Sequence, residues 1–246
     1  KSGNTQTLPM VAAVMPVRAV IRGKTGQGSN AKPFVMRGPI VEPLSHSEIA
    51  ELCDRMKPPR PPSSGLRVGV YYYGLGAEGA YDALDKSKGI APVWIYHIEP
   101  AHLAAVEVFV LPQLFELNDM TPQAAKTLRQ WVEGGGRLIL THDAVGLRWH
   151  PRLFPEVAQG TKLVSSRSVQ TAVALRGFAK GTKFDHEYKD HAQLELASAA
   201  KLLVAEQKTG KPVVAAGRVG KGLVILDGLI PGYDEESGPD THSLRL

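Results

Sequence analysis

The chain of 246 residues has a single cysteine, Cys53, and it has no long apolar run. One cysteine excludes an internal disulfide framework and a cysteine-rich metal site. No apolar run approaches the roughly 20 residues that a helix needs to span a bilayer, so no transmembrane segment is predicted. We predict no bound cofactor and no metal ion. The composition, 43% hydrophobic and 22% charged, is that of an ordinary soluble protein. Because the chain starts at Lys1 instead of a methionine, we expect a processed or trimmed N-terminus.

Acidic residues are absent from the first 41 positions. Residues 1–41 carry six basic side chains, a surplus that exceeds the formal net charge of +5 for the whole chain. Glycine and proline interrupt their β-prone runs, which predicts an extended arm at the edge of a fold. Such an arm suits a protein partner or a second copy of the chain, and the alternative is a solvated, extended lead-in without a partner. A single aromatic residue, Phe34, lies among its charges, too few for base stacking along a strand, so no nucleic-acid partner is expected.

A proline-rich segment, KPPRPPSSG at residues 57–65, divides the chain. Prolines at this density predict a stiff, extended linker. Residues 45–48 before it fit the capping box of a short helix. We therefore predict two parts. Residues 1–65 form a basic arm with a capped helix and a linker, and residues 66–246 form an α/β domain.

Strand-like and helix-like segments alternate from residue 66 to residue 146. RVGVYYY, PVWIYHIE, VEVFVLPQ and RLILT predict strands, and a helix starts at Thr121 with Pro122 in its first position. This alternation predicts a parallel sheet with right-handed crossovers. Beyond residue 150 the segments are strand-like, which indicates a β-rich C-terminal part. The expected fold class is therefore a flavodoxin-like parallel sheet flanked by helices, with that β-rich part and the N-terminal arm added.

Polar side chains follow the predicted strand RLILT, at a position where open α/β sheets usually bind ligands. His142 and Asp143 come directly after Thr141, and Gln113 follows the neighbouring strand. A histidine beside an aspartate can transfer protons. Because adjacent side chains point in different directions, the two are not expected to pair simply with each other. The alternative is that Asp143 caps the next turn.

A second polar group is DHEYKDH at residues 185–191. It resembles the H-E-x-x-H motif of zinc proteases, but its second histidine falls five residues after the first. On a helix that spacing rotates the two by about 140°, which excludes the zinc-protease site. In a loop, His186, Asp190 and His191 can still gather around a ligand, although a solvated turn is the alternative. We predict His142, Asp143, His186 and His191 as candidate catalytic residues, with Gln113 and Asp190 as ligand-binding residues.

A glycine-rich segment, residues 74–79, lies between a predicted strand and a predicted helix. Gly74, Gly76 and Gly79 fit the G-x-G-x-x-G spacing, and Glu99 lies about 20 residues further on. This pattern predicts a dinucleotide site in which the glycines approach a pyrophosphate and the acid binds a ribose hydroxyl. The alternative is a glycine-rich connection, since acidic residues in the following helix oppose a phosphate at its N-terminus.

The segment 68–146 resembles the class I glutamine amidotransferase-like superfold, especially its ThuA-like and trimerisation-domain members. VFVLPQ, TPQAAKTLRQWVEGGG and RLILTHDAVG carry the resemblance, and GKPVVAAGRVGKGLVIL resembles the hairpin that closes such domains. In the glutaminase members a nucleophilic cysteine follows the strand equivalent to RLILT. Here His142 stands at about that place, as a histidine does in ThuA-like proteins. Without a thiolate no glutamyl thioester can form, so the resemblance implies no glutaminase activity.

Three functions are consistent with these patterns. The first is a ThuA-like binding or assembly module. The second is a hydrolase or isomerase that acts on a small polar or sugar-like ligand through His142 and Asp143. It requires His142 to lie at the mouth of a cleft, within about 8 Å of a residue in 186–191. The third is nucleotide binding through Gly74 to Gly79, which requires free backbone N–H groups in that loop.

Overall fold

The computed structural model describes residues 54–60, 64–114 and 120–233. The predicted arm of residues 1–41, the start of the capped helix at Ser45 and residues 61–63 of the linker lie outside the described residues, whereas Asp54 and Arg55 near the end of that helix are helical. The proposed partner surface at residues 1–41 therefore stays a prediction.

The first half of the described domain alternates strands and helices, as the sequence pattern indicates. Its strands are β1 (Leu66–Tyr71), β2 (Ile90–Ile95), β3 (Val108–Leu111) and β4 (Arg137–Thr141). Its helices are α1 (Ala77–Asp85), α2 (Pro100–Leu103) and α3 (Pro122–Glu133). A short 3₁₀ helix, η1 (His142–Val145), follows β4 directly.

The second half consists of strands. They are β5 (Ala158–Val164), β6 (Ser168–Thr171), β7 (Lys183–Asp185), β8 (His191–Leu196), β9 (Lys201–Glu206), β10 (Pro212–Val219) and β11 (Gly222–Asp227). No α-helix follows α3 within the described residues. None of the helices in the described ranges is long and apolar enough to cross a membrane.

Nine of these strands form one mixed sheet in the order β2-β1-β3-β4-β11-β10-β9-β6-β7. The five strands from β2 to β11 in that order pair in parallel. The pairs from β11 through β10, β9 and β6 to β7 are antiparallel. Strands β5 and β8 form a separate antiparallel pair.

The predicted flavodoxin-like parallel sheet flanked by helices is therefore wrong. The domain is rich in strands, and almost half of its main sheet is antiparallel. The physical reason lies in the connections after residue 146. The two residues between β10 and β11 include Gly220 with a φ of 57°, and so short a turn reverses the chain instead of crossing over it. No helix can be inserted there to cover the added strands.

Helix α3 forms for the reasons that its sequence indicates. The Thr121 hydroxyl oxygen accepts a hydrogen bond from the Ala124 N–H at 3.1 Å, which confirms the predicted N-cap. Leu128 and Val132 are fully buried on its inner face. After the helix ends, Gly136 provides room for the Trp131 ring, because a Cβ atom there would lie only 2.4 Å from that ring.

Both faces of the parallel half are buried. Phe109 and Leu138 belong to the large core cluster that includes Leu128 of α3, whereas Val70 and Val110 belong to a cluster with Ala77 of α1. This alternation is that of strands in the middle of a layered sheet. Strand β4, with β3 and β11 as parallel neighbours, is thus held rigidly, and it carries the polar residues at its C-terminal end.

Candidate functional site

The polar residues after β4 begin in an unusual backbone conformation. His142 has a φ of 47°, and it is one of two non-glycine residues with positive φ among the described residues; the other is Arg148, with a φ of 52°. The left-handed region costs an L-residue about 1–2 kcal/mol, and such residues cluster at functional sites and tight structural junctions. Here the sharp turn ends β4 and starts η1 without any intervening residue.

The His142 ring lies between two carboxylates. Its Nε2 is 3.1 Å from Asp190 Oδ1, in hydrogen-bond contact. Its Nδ1 is 3.2 Å from Asp143 Oδ1, close enough for an ion pair but without hydrogen-bond geometry. As expected, the adjacent His142 and Asp143 side chains do not form a hydrogen bond with each other. They do lie close together, which the sequence argument did not anticipate. The left-handed backbone at His142 is what the sequence pattern does not reveal.

Asp143 has a second charged neighbour, because Arg148 Nη1 lies 2.9 Å from its Oδ2. Burial alone would raise the pKa of the Asp143 carboxyl. The His142 imidazole and the Arg148 guanidinium together outweigh burial and hold that pKa below its ordinary value. The carboxylate therefore stays ionised at neutral pH as the centre of a small charged network, which we call the His142 cluster (His142, Asp143, Arg148 and Asp190).

The His142 cluster is closed to solvent. The side chains of His142 and Asp143 are each 1% exposed, and that of Asp190 is 13% exposed. The predicted position of His142 at the mouth of a cleft is therefore wrong. The cover is residues 186–190, which we call the covering loop. Its Tyr188 ring lies edge-on to the His142 ring at a centroid distance of 5.4 Å and also contacts Tyr233.

His186 is the first residue of the covering loop and His191 follows its last residue, and both bind a different group. His186 Nε2 and His191 Nδ1 both contact the Ser166 carbonyl oxygen, at 3.0 and 2.8 Å. Desolvation by burial, followed by the neighbouring His191, lowers the pKa of His186 to about 4. Burial also lowers the pKa of His191, although the Ser166 carbonyl and Glu206 partly oppose it. Both rings are thus neutral at neutral pH.

The remaining predicted residues near the strand ends form polar contacts inside the protein. Gln113 accepts a backbone hydrogen bond from Leu75 N–H at 2.9 Å, and its side-chain Oε1 is buried without a partner. The Thr141 hydroxyl is likewise buried without a partner. His150, for which the sequence offers no partner, accepts from Leu114 N–H at 3.2 Å through its Nε2.

The glycine-rich segment 74–79 contacts the protein's own chain. A Cβ atom at Gly74 would lie 2.5 Å from Pro112, one at Gly76 2.6 Å from the Pro231 carbonyl oxygen, and one at Gly79 2.0 Å from that of Gly232. Backbone of residues 231–232 therefore fills the space that a pyrophosphate would need. These glycines permit close packing, and the space required for nucleotide binding is not open. Glu99 is exposed at the start of α2, and its carboxylate lies 3.8 Å from the His102 ring.

Neither a metal-binding group nor the surface groove coincides with the His142 cluster. The described residues contain no group of three or more His, Cys, Asp or Glu side chains arranged to hold a metal ion. A shallow groove runs along β5, β8 and β10, lined in part by Lys162, Glu195 and Lys211. None of its lining residues belongs to the His142 cluster. The structure thus brings together His142, Asp143 and Asp190, and within the part of the chain that it describes their side chains are buried instead of facing a cleft.

Sequence reasoning missed three groups of this region. Arg148 gave no signal, since neither its ion pair with Asp143 nor its left-handed backbone is visible in the local sequence. The Ser166 carbonyl is a backbone group and is invisible to motif searches. Tyr188 offered the one available signal, because an aromatic residue between two candidate polar residues is suited to cover them.

Comparison with known proteins gives similarity of fold only. The chain matches no family model and no curated protein sequence. It is similar to a β-galactosidase from Bacillus circulans sp. alkalophilus, with 15% identity and a TM-score of 0.57 over 74% of this chain and 30% of that one. A β-galactosidase from Rahnella sp. R3 gives 15% identity and a TM-score of 0.53 over 68% and 29% of the two chains. A cytoplasmic protein from Salmonella typhimurium LT2 gives 14% and 0.51 over 67% and 88%.

These similarities correct the sequence-based description. The amidotransferase-like and flavodoxin-like descriptions give way to a strand-rich fold that resembles part of the β-galactosidases. The chain spans less than a third of the length of those two β-galactosidases. At these identities the similarity concerns the arrangement of strands and carries no information about activity.

Proposed function

We propose that this chain is a binding or assembly module without glutaminase activity, in which His142 has a structural role. The observation that carries the proposal is the closure of the His142 cluster, whose two central side chains are each 1% exposed. A module of this kind uses its outer surface to bind, and it keeps its buried polar residues for holding loops in place.

The contacts of His142 argue against a catalytic role. A general base needs a free lone pair within hydrogen-bond reach of a substrate proton. Both ring nitrogens of His142 face carboxylate oxygens instead, at 3.1 and 3.2 Å, and Tyr188 lies against the ring. A substrate could reach the ring only if the covering loop moved away.

The similarity to larger proteins is consistent with the proposal. This chain aligns with 30% of one β-galactosidase and with 88% of a small cytoplasmic protein. The same arrangement of strands therefore occurs as a part of large enzymes and in a short chain. A fold with both uses suits a domain that is joined to, or assembles with, other domains.

We assign the assembly to residues 1–41, the segment with six basic and no acidic side chains. Its partner is a second copy of this chain or another protein with an acidic surface, because opposite charge speeds and orients association. Sedimentation of the full chain, alone and with added salt, tests the assignment against a chain that starts at residue 42. The matched control carries the same 41 residues in scrambled order.

We expect the full chain to self-associate, or to bind an acidic partner protein, and both the shortened and the scrambled chains to lose this. If the shortened chain associates as the full chain does, residues 1–41 are not the assembly segment. If the scrambled arm works as well as the natural one, the association rests on charge alone and the proposal of a specific module fails.

A second candidate function is a hydrolase or isomerase that acts on a small polar or sugar-like ligand. One observation favours it, because His142 and Asp190 lie 3.1 Å apart, well within the distance that this hypothesis requires. Hydrolysis of a panel of nitrophenyl glycosides by the unsubstituted chain and by His142→Gln tests it. Activity that disappears in the variant would establish the enzyme and overturn the module.

A further inference from the structure

The histidine pair, His186 and His191, is built so that its rings can be buried only when neutral. A carbonyl oxygen only accepts hydrogen bonds, so both His186 Nε2 and His191 Nδ1 must carry hydrogens to bind Ser166. The two nitrogens are 3.4 Å apart and cannot bond each other, because both are donors. The tautomer of each ring is thereby fixed.

The other nitrogen of each ring has no partner. His186 Nδ1 and His191 Nε2 are both buried, and neither makes a hydrogen bond. A second proton on either ring would thus create a buried N–H without an acceptor and a buried positive charge. Both are costly in a protein interior, so protonation favours any conformation in which the ring reaches water.

The charges around the pair do not remove this cost. His191, His142 and Arg167 face His186, and each of them disfavours a positive charge there. The carboxylates of Glu206 and Asp190 face His191 and favour its charged form, whereas His142 disfavours it. No carboxylate therefore compensates a positive charge on His186. Among the neighbouring groups that affect its pKa, only the Ser166 carbonyl favours the charged ring.

The pair lies at the two ends of the covering loop. His186 is the first residue of that loop, and His191 follows its last residue and begins β8. Between them Tyr188 contacts the His142 ring, and Asp190 bonds its Nε2. Release of the two imidazoles from Ser166 would remove the side-chain anchor at each end of the loop, so that only backbone contacts such as that of His186 N–H with the Arg167 carbonyl would hold those ends, and the loop could move off His142.

We infer that His186 and His191 form an acid-sensitive closure that holds the covering loop over His142 at neutral pH and releases it in mildly acidic solution. The inference concerns movement of the loop and does not depend on what the domain binds. Mildly acidic solution is then the condition that exposes the His142 cluster, which is closed at neutral pH.

Hydrogen exchange of residues 186–190, corrected for intrinsic rates, tests the inference on the full chain. With an exposed histidine pKa of 6.5 and a closed His186 pKa of about 4, the opening equilibrium should rise roughly 30-fold between pH 8 and pH 5 from His186 alone. An opening equilibrium of this loop that does not change with pH would overturn the inference.

Two substitutions keep the donors and remove the titration. The amide nitrogen of His186→Gln takes the place of Nε2, and that of His191→Asn takes the place of Nδ1, so both can still bind the Ser166 carbonyl. We expect the single His186→Gln variant to lose most of the pH effect and the double variant to lose nearly all of it. His97→Gln, outside the pair, is the matched control and should behave as the unsubstituted chain. A double variant with the full pH effect would contradict the inference.

An NMR titration of the histidine rings in the unsubstituted chain keeps the test independent of whether the variants fold. While the loop is closed, the His186 ring must stay neutral down to about pH 4, so at higher pH it gains a proton only together with opening of the loop. Titration of that ring near its ordinary value of 6.5, with the loop still closed, would overturn the inference.

Discussion

Two groups of buried histidines in this domain differ in what surrounds them. His142 has carboxylate oxygens at 3.1 and 3.2 Å, and one of those carboxylates also binds Arg148. His186 and His191 share a single neutral carbonyl, and each has one buried nitrogen without a partner. In the His142 cluster, carboxylates and an arginine of opposite charge lie side by side. In the pair of His186 and His191, a positive charge on the His186 ring would have no carboxylate beside it. The comparison shows that burial alone does not determine what a histidine does; the groups that remain beside it decide.

The largest expected effect comes from breaking the compensated group. Asp143→Ala leaves His142 and the Arg148 guanidinium without their shared carboxylate, in a site where Asp143 is 1% exposed. Removal of one partner from a buried charged network costs about 3–5 kcal/mol. Urea denaturation at pH 7 should show a loss of this size in the free energy of unfolding.

Asp82→Ala is the matched control for that experiment, since Asp82 is an exposed carboxylate on α1. Its free energy of unfolding should change little. If Asp143→Ala is as mild as Asp82→Ala, the His142 cluster does not hold the loop as described.

The second largest effect concerns the pair of His186 and His191, and it depends on pH. Because the closed-state pKa of His186 lies below its unfolded value, its contribution to stability is complete above pH 6.5 and is lost as the pH falls toward about 4. The difference between a pKa of 6.5 in the unfolded chain and one of about 4 in the closed state corresponds to a loss of about 3 kcal/mol in the free energy of unfolding. Denaturation curves of the unsubstituted chain should show this loss between pH 7 and pH 4, and those of His186→Gln should show a correspondingly smaller one. An equal loss in both would remove the distinction between the two groups.

The smallest effect comes from the outer edge of the His142 cluster. The Arg148 side chain is 53% exposed, so its ion pair with Asp143 is screened by solvent. Arg148→Ala should cost less than about 1 kcal/mol, and the cost should shrink further at high salt. Thermal unfolding at low and high salt measures it. A cost as large as that of Asp143→Ala would mean that the cluster depends on its exposed member.

The parallel half of the domain could be read from the sequence with good success. Alternating strand and helix patterns located β1 to β4, and Thr121 followed by Pro122 located the start of α3. The strand-end rule pointed to His142, and the short distance between His142 and Asp190 makes the two polar segments neighbours. These features depend on local pattern and on general topology, which a single sequence contains.

The antiparallel half and the closure of the site could not be read in the same way. Whether β11 joins β4 or another strand depends on long-range pairing that no local pattern specifies. The left-handed backbone of His142 and the placement of Tyr188 over its ring arise from tertiary packing. An exposed catalytic histidine and a sealed structural one have the same local sequence, so the sequence predicted the residue and missed its exposure.

Chemical modification of the histidine rings by diethyl pyrocarbonate, followed by mass spectrometry, tests the central claim most directly. At neutral pH the structure predicts that His142, which is 1% exposed, stays unmodified while the partly exposed His97 reacts. Modification of His142 at the rate of His97 under the same conditions would contradict the closed site and the structural role assigned to it.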